Sequence, residues 1–146
     1  MDVVTPAVRS RMMSKIRAND TRPEIIVRRY LHASGFRFRL HQRSLPGTPD
    51  IVLRRFRTVI FVNGCFWHRH TGCRYATTPS TNQVFWEKKF SANVSRDERN
   101  VQSLLDGGWA VIVIWECLLR RADRNLELDR IVSSIRFGTK GCLIFG

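Results

Sequence analysis

Thr58-Val-Ile-Phe-Val-Asn-Gly-Cys-Phe-Trp-His-Arg-His-Thr-Gly-Cys73 opens as an apolar run and closes as a cluster of soft ligands and aromatics. The run reads as a strand. The loop it launches holds two cysteines and two histidines between Cys65 and Cys73, with Phe66 and Trp67 among them. It reads as a metal-built platform beside an active site. Just upstream, Pro46-Gly-Thr-Pro49 is a turn that delivers Asp50 to a second strand, residues 50–53. The basic bend at 54–57 is short, which predicts an antiparallel hairpin. With the turn near Arg55 and Phe56, Asp50 falls opposite Phe61 or Val62, and a one-residue slip decides which. The Asp50 carboxylate and a main-chain carbonyl at the end of the next strand could share one hard cation. Mg²⁺ uses one or two carboxylates and fills its shell with water and phosphate oxygens. A second reading stays open, in which Asp50 only caps the turn after Pro49.

Cys65, His70 and Cys73 form C-x4-H-x2-C, and Cys117 follows the apolar strand at 109–115. Together they make a Cys3His set, the pattern of a closed structural zinc site. The competing reading is a group of buried thiols, and Cys142 in the tail shows that not every cysteine is a ligand. Zinc would pin a loop that has no long apolar run of its own. If His70 is the ligand, His68, two positions away in an extended segment, points to the other face. There it could take a proton from a water near an Asp50-bound cation.

Composition bounds the partner. At 146 residues the chain is read as a single domain, 1–146, long enough for a real core. The formal net charge of +13 predicts a polyanion, and nucleic acid fits better than a membrane because the basic residues are spread along the chain. No apolar run approaches a bilayer span, and the N-terminus has no secretory pattern, so the cysteines read as thiols or ligands rather than disulfides.

Residues 1–8 read as a loose leader. Residues 9–17 alternate basic and apolar. They are either a solvated helical turn or a basic arm on DNA with Met12 or Met13 as an apolar probe. Thr21-Arg-Pro-Glu24 is a helix start with Glu24 at the capping-box position, which by itself explains Glu24. That helix runs to about Ser34 and stops at Gly35. Residues 36–40 alternate like a half-buried strand. A long charged helix spans about 82–105. Its Phe85, Trp86, Lys88, Lys89, Asn93, Arg96 and Arg99 either meet DNA or divide between core and a wet face, with Phe85, Val94, Val101, Leu104 and Leu105 as core. Residues 109–115 form the most apolar strand, expected to lie centrally, and 125–137 a closing amphipathic helix. Residues 138–146 read as a tail without function. No repeat or linker divides the chain.

In order, Arg9-Ser-Arg-Met-Met-Ser-Lys-Ile16, Asp20-Thr-Arg-Pro-Glu24, Leu45-Pro-Gly-Thr-Pro-Asp50, Val59-Ile-Phe-Val-Asn-Gly-Cys-Phe-Trp-His68, Phe85-Trp86, Asn93-Val-Ser-Arg-Asp97 and Val113-Ile-Trp-Glu-Cys117 resemble the very short patch repair (Vsr) mismatch endonucleases, over about residues 9–137. The resemblance implies an α/β, restriction-endonuclease-like fold of the PD-(D/E)XK type, with a mixed central sheet flanked by helices and a structural zinc site. It implies Mg²⁺-dependent nicking 5′ of the thymine in a T:G mismatch left by deaminated 5-methylcytosine. Double-stranded DNA is then the partner, with room for mismatch-repair proteins or a cytosine methyltransferase. The setting is the bacterial cytoplasm, at the nucleoid. Nicking one strand needs one active site, so a monomer is expected.

By position, Asp50 resembles the Mg²⁺ carboxylate and the Val62 main-chain carbonyl its second protein ligand. His68 is similar to the family's catalytic histidine, and Glu24 to a glutamate holding a metal-bound water. Cys65, His70, Cys73 and Cys117 resemble the zinc ligands. Phe66, Trp67 and Trp86 resemble an aromatic wedge beside the mismatch, Met13 a residue inserted from the opposite groove, and Lys89 and Asn93 residues near the mismatched bases. The chain departs from many relatives by Val62 in place of Thr and Asn63 in place of His, which shifts weight onto His68. Thr71 and Gly72 also stand where some relatives have one residue. No Glu-x-Lys pair follows Asp50, which favours a His-assisted mechanism. Two alternatives stand beside this reading: a restriction-type enzyme cutting both strands of unmodified DNA, and a non-catalytic zinc-built DNA-binding module.

Overall fold

The computed structural model describes residues 20–146, so the leader, the basic segment at 9–17 and Met13 lie outside the described residues. The hairpin around Asp50 sets the frame. Strand β2 (Ile51–Leu53) and strand β3 (Thr58–Asn63) are antiparallel across a 3-10 turn, Arg54–Phe56, closed by Arg57 at a φ of 49°. Ile51 pairs with Ile60 and Leu53 with Thr58, so continuing the register puts Asp50 opposite Phe61.

Helix α1 (Arg22–Ala33) starts as its sequence predicts, with Thr21 as N-cap and its hydroxyl accepting from the Glu24 N–H. Glu24 does not close the box on Thr21, however; its Oε2 accepts the N–H of Asp20 at 2.9 Å. At the other end the Gly35 N–H bonds to the His32 carbonyl and the Phe36 N–H to that of Leu31, both near 3 Å. This is the Schellman closure, with Gly35 at positive φ. It uses up Phe36, whose ring is buried in the core, and so strand β1 is only Arg39–Leu40, shorter than the expected 36–40.

Helix α2 (Gln83–Asp106) carries the chain across the sheet from β3 to β4 (Ala110–Trp115), which runs parallel to β3. A short helix α3 (Glu116–Leu119) and helix α4 (Arg124–Phe137) lead to β5 (Cys142–Phe145), parallel to β4. The strand order is β1-β2-β3-β4-β5. The tail expected at 138–146 therefore contains an edge strand, too short for its alternation to stand out in sequence. No helix among the described residues is long and apolar enough to cross a membrane.

Alternate residues of the strands feed two cores. Ile51, Leu53, Ile60, Val62, Ile112 and Ile114 pack with Val27, Leu31, Leu118, Leu128, Ile131 and Ile135 from α1, α3 and α4. Val52, Val59, Val111 and Val113 pack with Leu104 of α2. Both faces are covered, which is why β4 reads as an unbroken apolar run. This mixed α/β arrangement leaves one edge free for chemistry. The start of β2 and the ends of β3 and β4 meet at the carboxyl edge of the parallel pair, where open α/β sheets place their ligands.

The turn that delivers Asp50 is tightly wedged. Gly47 has a φ of 75°, and a Cβ there would sit 3.0 Å from Asn100 Nδ2 on α2 and 3.1 Å from the Phe61 ring. Gly47→Ala is expected to destabilise the fold by about 1–3 kcal/mol, measured by denaturant unfolding, because both backbone and space oppose it. An unchanged midpoint would refute this account of the turn.

Candidate active site and metal centre

Asp50 is held across the hairpin by β3. Its Oδ2 accepts the Val62 N–H at 2.7 Å, so the residue opposite in register and the residue bonded are neighbours, Phe61 and Val62. The Asp50 side chain keeps 16% of its surface exposed. Burial pushes its carboxyl up to about 7, against the pull of the Val62 N–H; Glu24 adds to the rise, and His41 and His68 oppose it. These four side chains therefore share one electrostatic environment.

Glu24 is 3% exposed and does more than cap. Its Oε2 lies 3.0 Å from His41 Nε2 and 3.3 Å from Arg28 Nη2, besides the Asp20 N–H. Arg28 also pairs with the Asp20 carboxylate. His41 Nε2 stands 3.9 Å from Asp50 Oδ1, and the His41 N–H donates to the Asp50 carbonyl at 3.2 Å. His41 adopts a φ of 45°, an uncommon conformation for a non-glycine residue. Sequence reasoning passed over His41 and Arg28. Arg28 at i+4 from Glu24 was the available signal; His41 had none beyond lying nine residues before Asp50. One oxygen or nitrogen from each of Asp20, Glu24 and His41 can be chosen within 4.8 Å of the others.

His68 and His70 diverge as expected, but not through an extended segment. The chain turns tightly, with the His68 N–H on the Gly64 carbonyl, the His70 N–H on the Cys65 carbonyl, and Arg69 at a φ of 57°. The left-handed residue between them sends the two rings apart. His68 Nδ1 lies 2.5 Å from Asp97 Oδ2 on α2, which leaves Nε2 as the ring's working nitrogen. Asp97 is the third residue that sequence reasoning did not single out; it lay inside a matching segment.

Cys65, His70, Cys73 and Cys117 converge, with their ligand atoms all within 4.8 Å of one another. His70 Nδ1 is 3.7 Å from Cys65 Sγ and 3.4 Å from Cys117 Sγ. The His70 ring stacks on Trp115 at 4.4 Å and 9°. Burial lowers the His70 pKa and so favours the neutral, ligating imidazole. Burial pushes the Cys65 thiol up to about 12 and raises Cys117 as well. Cys73 is lowered: burial opposes this, but N–H groups of Tyr75 and Ala76 and the neighbouring thiols outweigh it. Cys142 is exposed and apart from the cluster, as its sequence position suggests.

The aromatic residues form one packed group. Phe66 meets Trp67, Trp86 and Phe90 edge-on, at 4.9, 5.8 and 5.2 Å between centroids. Trp86 is buried, 7% exposed, whereas Phe85, expected in one reading to be core, is 58% exposed. Lys89 Nζ lies 6.0 Å from the Trp67 ring, and Asn93 donates to the Trp67 carbonyl at 3.1 Å. Arg69 packs on Phe90 and bonds the carbonyls of Phe66, Ala76 and Thr77, fastening the loop around these rings.

A sheet edge that joins a carboxylate centre, a histidine–carboxylate pair, a thiol cluster and a basic aromatic face has the make-up of a DNA endonuclease. A sequence model of the family described as DNA mismatch endonuclease Vsr matches residues 1–74. The DNA mismatch endonuclease Vsr of Escherichia coli (strain K12) is 42% identical over 123 residues, 84% of this chain and 78% of the relative. The Type II nicking enzyme V.XorIIP of Xanthomonas oryzae pv. oryzae is 48% identical over 118 residues, 81% and 86% of the two chains. V.NmeAIP of Neisseria meningitidis, also a Type II nicking enzyme, is 40% identical over 136 residues, 92% and 96%. The chain belongs to the Vsr family of DNA endonucleases.

The Asp50 environment has a thermodynamic consequence. Its folded pKa, about 7, lies above the ordinary carboxylate value, so the folded chain favours the protonated form. That contribution is fully present at acid pH and is lost as pH rises through 7. Without divalent cations, the stability of the wild type is expected to fall relative to Asp50→Asn between about pH 4 and about pH 7, the interval from the ordinary carboxylate value to the folded one. The change should be up to a few kcal/mol, at about 1.4 kcal/mol per pKa unit. A difference that does not move with pH would contradict the assignment.

Proposed function

We propose that the chain nicks one strand of double-stranded DNA 5′ of the thymine in a T:G mismatch, the lesion left when 5-methylcytosine deaminates. The observation that carries this reading is the Asp50–Val62 clamp within electrostatic reach of His68, whose ring is tied to Asp97. Family membership and relatives named for mismatch and nicking activity support it. In this reading the fold is restriction-endonuclease-like, residues 1–146 work as a single domain, and a monomer acts at the bacterial nucleoid. Mismatch-repair proteins and a cytosine methyltransferase are the proposed partners.

Asp50 and the Val62 main-chain carbonyl fit a hard divalent cation: one carboxylate with a free oxygen edge and one neutral oxygen, beside a second carboxylate, Glu24. Mg²⁺ bound there would supply Lewis acidity and charge neutralisation at phosphorus. Glu24 would hold a water of that ion, with Arg28 and His41 fixing the carboxylate. Asp97 fixes the His68 tautomer by holding Nδ1–H, so Nε2 is the atom that takes or returns a proton. With Asn63 in place of a second histidine, His68 carries the proton work alone. Phe66, Trp67 and Trp86 make the wedge, Met13 reaches in from the other groove, and Lys89 and Asn93 sit near the mismatched pair. A T:G pair unstacks more easily than a matched one, so the wedge costs less there.

Cys65, His70, Cys73 and Cys117 fit zinc. A tetrahedral ion with bonds of about 2.3 Å to sulfur and about 2.0 Å to nitrogen has S···N edges of about 3.5 Å. The observed 3.7 and 3.4 Å bracket that value.

The decisive test is cleavage of end-labelled duplexes differing only in T:G, C:G or T:A at one position, in several flanking contexts, with Mg²⁺. A nick beside the T of T:G alone is expected, absent in Asp50→Ala and slowed about 100-fold in Asp97→Asn. Cleavage of both strands of matched DNA would favour the restriction reading. Tight binding with no cleavage in any context would leave a DNA-binding module. Separately, elemental analysis should give one zinc per chain, lost in Cys117→Ala together with a lower melting temperature. A metal-free wild type of unchanged stability would reject the zinc.

A further inference from the structure

The two faces of the sheet reach the catalytic edge with different chemistry. On one face α2 brings Trp86, Lys89, Asn93 and Asp97 to the loop that bears His68. The other face is closed by α1, α3 and α4. There the chain leaves the carboxyl end of β4 through α3 and starts α4 at Arg124. The starts of α1 and α4 border one open cavity of about 690 Å³, within the range of about 300–1,000 Å³ usual for ligand sites. Their far ends meet elsewhere, where Arg136 Nη2 donates to the Ser34 carbonyl at 2.6 Å.

The cavity is lined by Arg22, Arg29 and Arg124, with Ile25 and Ile26 between them. Arg22 and Arg29 are exposed, and no carboxylate among the described residues pairs with either. Arg124 spends one amino group on the Leu119 carbonyl, at 2.9 Å, and keeps the rest of its fork. The acid in the lining is Asp20, whose carboxylate pairs with Arg28. Asp123, next to Arg124, pairs with Arg121 at 2.7 Å. The cavity therefore carries uncompensated positive charge around a half-buried apolar floor. A phosphodiester with its deoxyribose has the matching make-up, anionic oxygens for the guanidinium forks and an apolar ring for the isoleucines.

The cavity also adjoins the Asp50 centre. Asp20, in its wall, donates its N–H to Glu24 Oε2 at 2.9 Å, and the same oxygen lies 3.0 Å from His41 Nε2. His41 Nε2 in turn stands 3.9 Å from Asp50 Oδ1. One turn of α1 thus carries Glu24 toward the catalytic carboxylate and Arg22, Ile25 and Ile26 toward the cavity.

We propose that Arg22, Arg29 and Arg124 form a second DNA site, which grips a backbone phosphate of the duplex on the side of the catalytic edge opposite α2. This rests on the DNA-nicking reading of the neighbouring centre. α2 and its loop read the mismatch; the arginine cavity holds the flanking backbone and fixes the duplex against the Asp50 centre. It adds affinity without adding sequence or mismatch preference, because every nucleotide offers the same phosphate.

The test compares wild type, Arg22→Gln/Arg29→Gln, the same pair with Arg124→Gln, Arg22→Lys/Arg29→Lys, and Arg54→Gln from the turn at the other end of β2. Binding to T:G and matched duplexes is measured without Mg²⁺ between 50 and 200 mM salt. The Gln pair should bind both duplexes about tenfold more weakly, with a salt slope lower by about one and an unchanged ratio between them. The Lys pair should recover the slope, and Arg54→Gln should match wild type. A single neutral methylphosphonate is then moved along each strand. At one flanking position it should weaken wild type and leave the Gln pair unaffected, a coupling that a purely structural role for the arginines would not produce. If both Gln variants keep the wild-type slope, or no methylphosphonate position shows the coupling, the cavity serves another anion or the fold and the proposal fails, while T:G nicking by the same variants would leave the mismatch reading standing. A changed T:G preference in the Gln pair would also overturn it, since the site would then read bases. If wild type itself neither prefers nor nicks T:G duplexes, the reading beneath the proposal fails.

Discussion

A carboxylate with little access to water, held at 2.7 Å by a strand N–H, is the constraint around which the rest of the site is arranged. Asp50 can occupy that place only if three conditions hold together. The turn at 46–49 must fit between Asn100 and Phe61, which requires Gly47. The β2–β3 register must not slip, and it does not, because a one-residue slip would exchange the two buried faces of both strands. Positive charge must also stand nearby, since a buried carboxylate beside Glu24 is otherwise forced to take a proton. His41 and His68 lie where they oppose that protonation, and a divalent cation would do so more strongly.

The loop that carries His68 has the opposite problem. Residues 64–81 contain no helix or strand, yet they must hold an imidazole and two large rings in place. The side chains of this loop reach outward for support in three directions. Cys117, reached from the end of β4, meets Cys65, His70 and Cys73. Asp97 of α2 holds His68, and Asn93, one turn earlier on that helix, holds the Trp67 carbonyl. Arg69 laces the loop to its own later carbonyls while lying on Phe90. Each anchor rises from a well-packed element, so the loop inherits its order from the sheet and α2.

How much of this the sequence disclosed follows from the range of each interaction. The hairpin, the Thr21 N-cap and the Gly35 stop of α1, the two-faced strand β4 and the convergence of the Cys3His set were legible, because each depends on local spacing or on residue types with few uses. His41 and Asp97 were not, since each acquires its meaning only from a partner 17 or 29 residues away. The early end of β1 was hidden by a cap that used Phe36, although the alternation of residues 36–40 suggested a strand. The reading that put Phe85 in the core failed, since Phe85 is exposed and Trp86 buried; neighbouring aromatics on a helix point about 100° apart, and only packing decides which one faces water.

That last distinction bears on discrimination. A +13 chain binds any duplex through its phosphates, and this attraction is the same for matched and mismatched DNA. Selectivity must come from short-range contacts that a stacked pair resists and a weak pair yields to. In the proposed mechanism α2 carries both kinds along its length, exposed Lys88 and Arg96 for the backbone and Lys89 and Asn93 beside the mismatched pair, while Trp86 and Phe90 pack against the loop bearing Phe66, Trp67 and His68. Asp97 lies on that same helix, bonded to His68. In the proposed mechanism a shift of α2 on the duplex would therefore move the rings and the histidine together, so that failure of the wedge to enter a matched pair would also draw His68 away from the scissile phosphate.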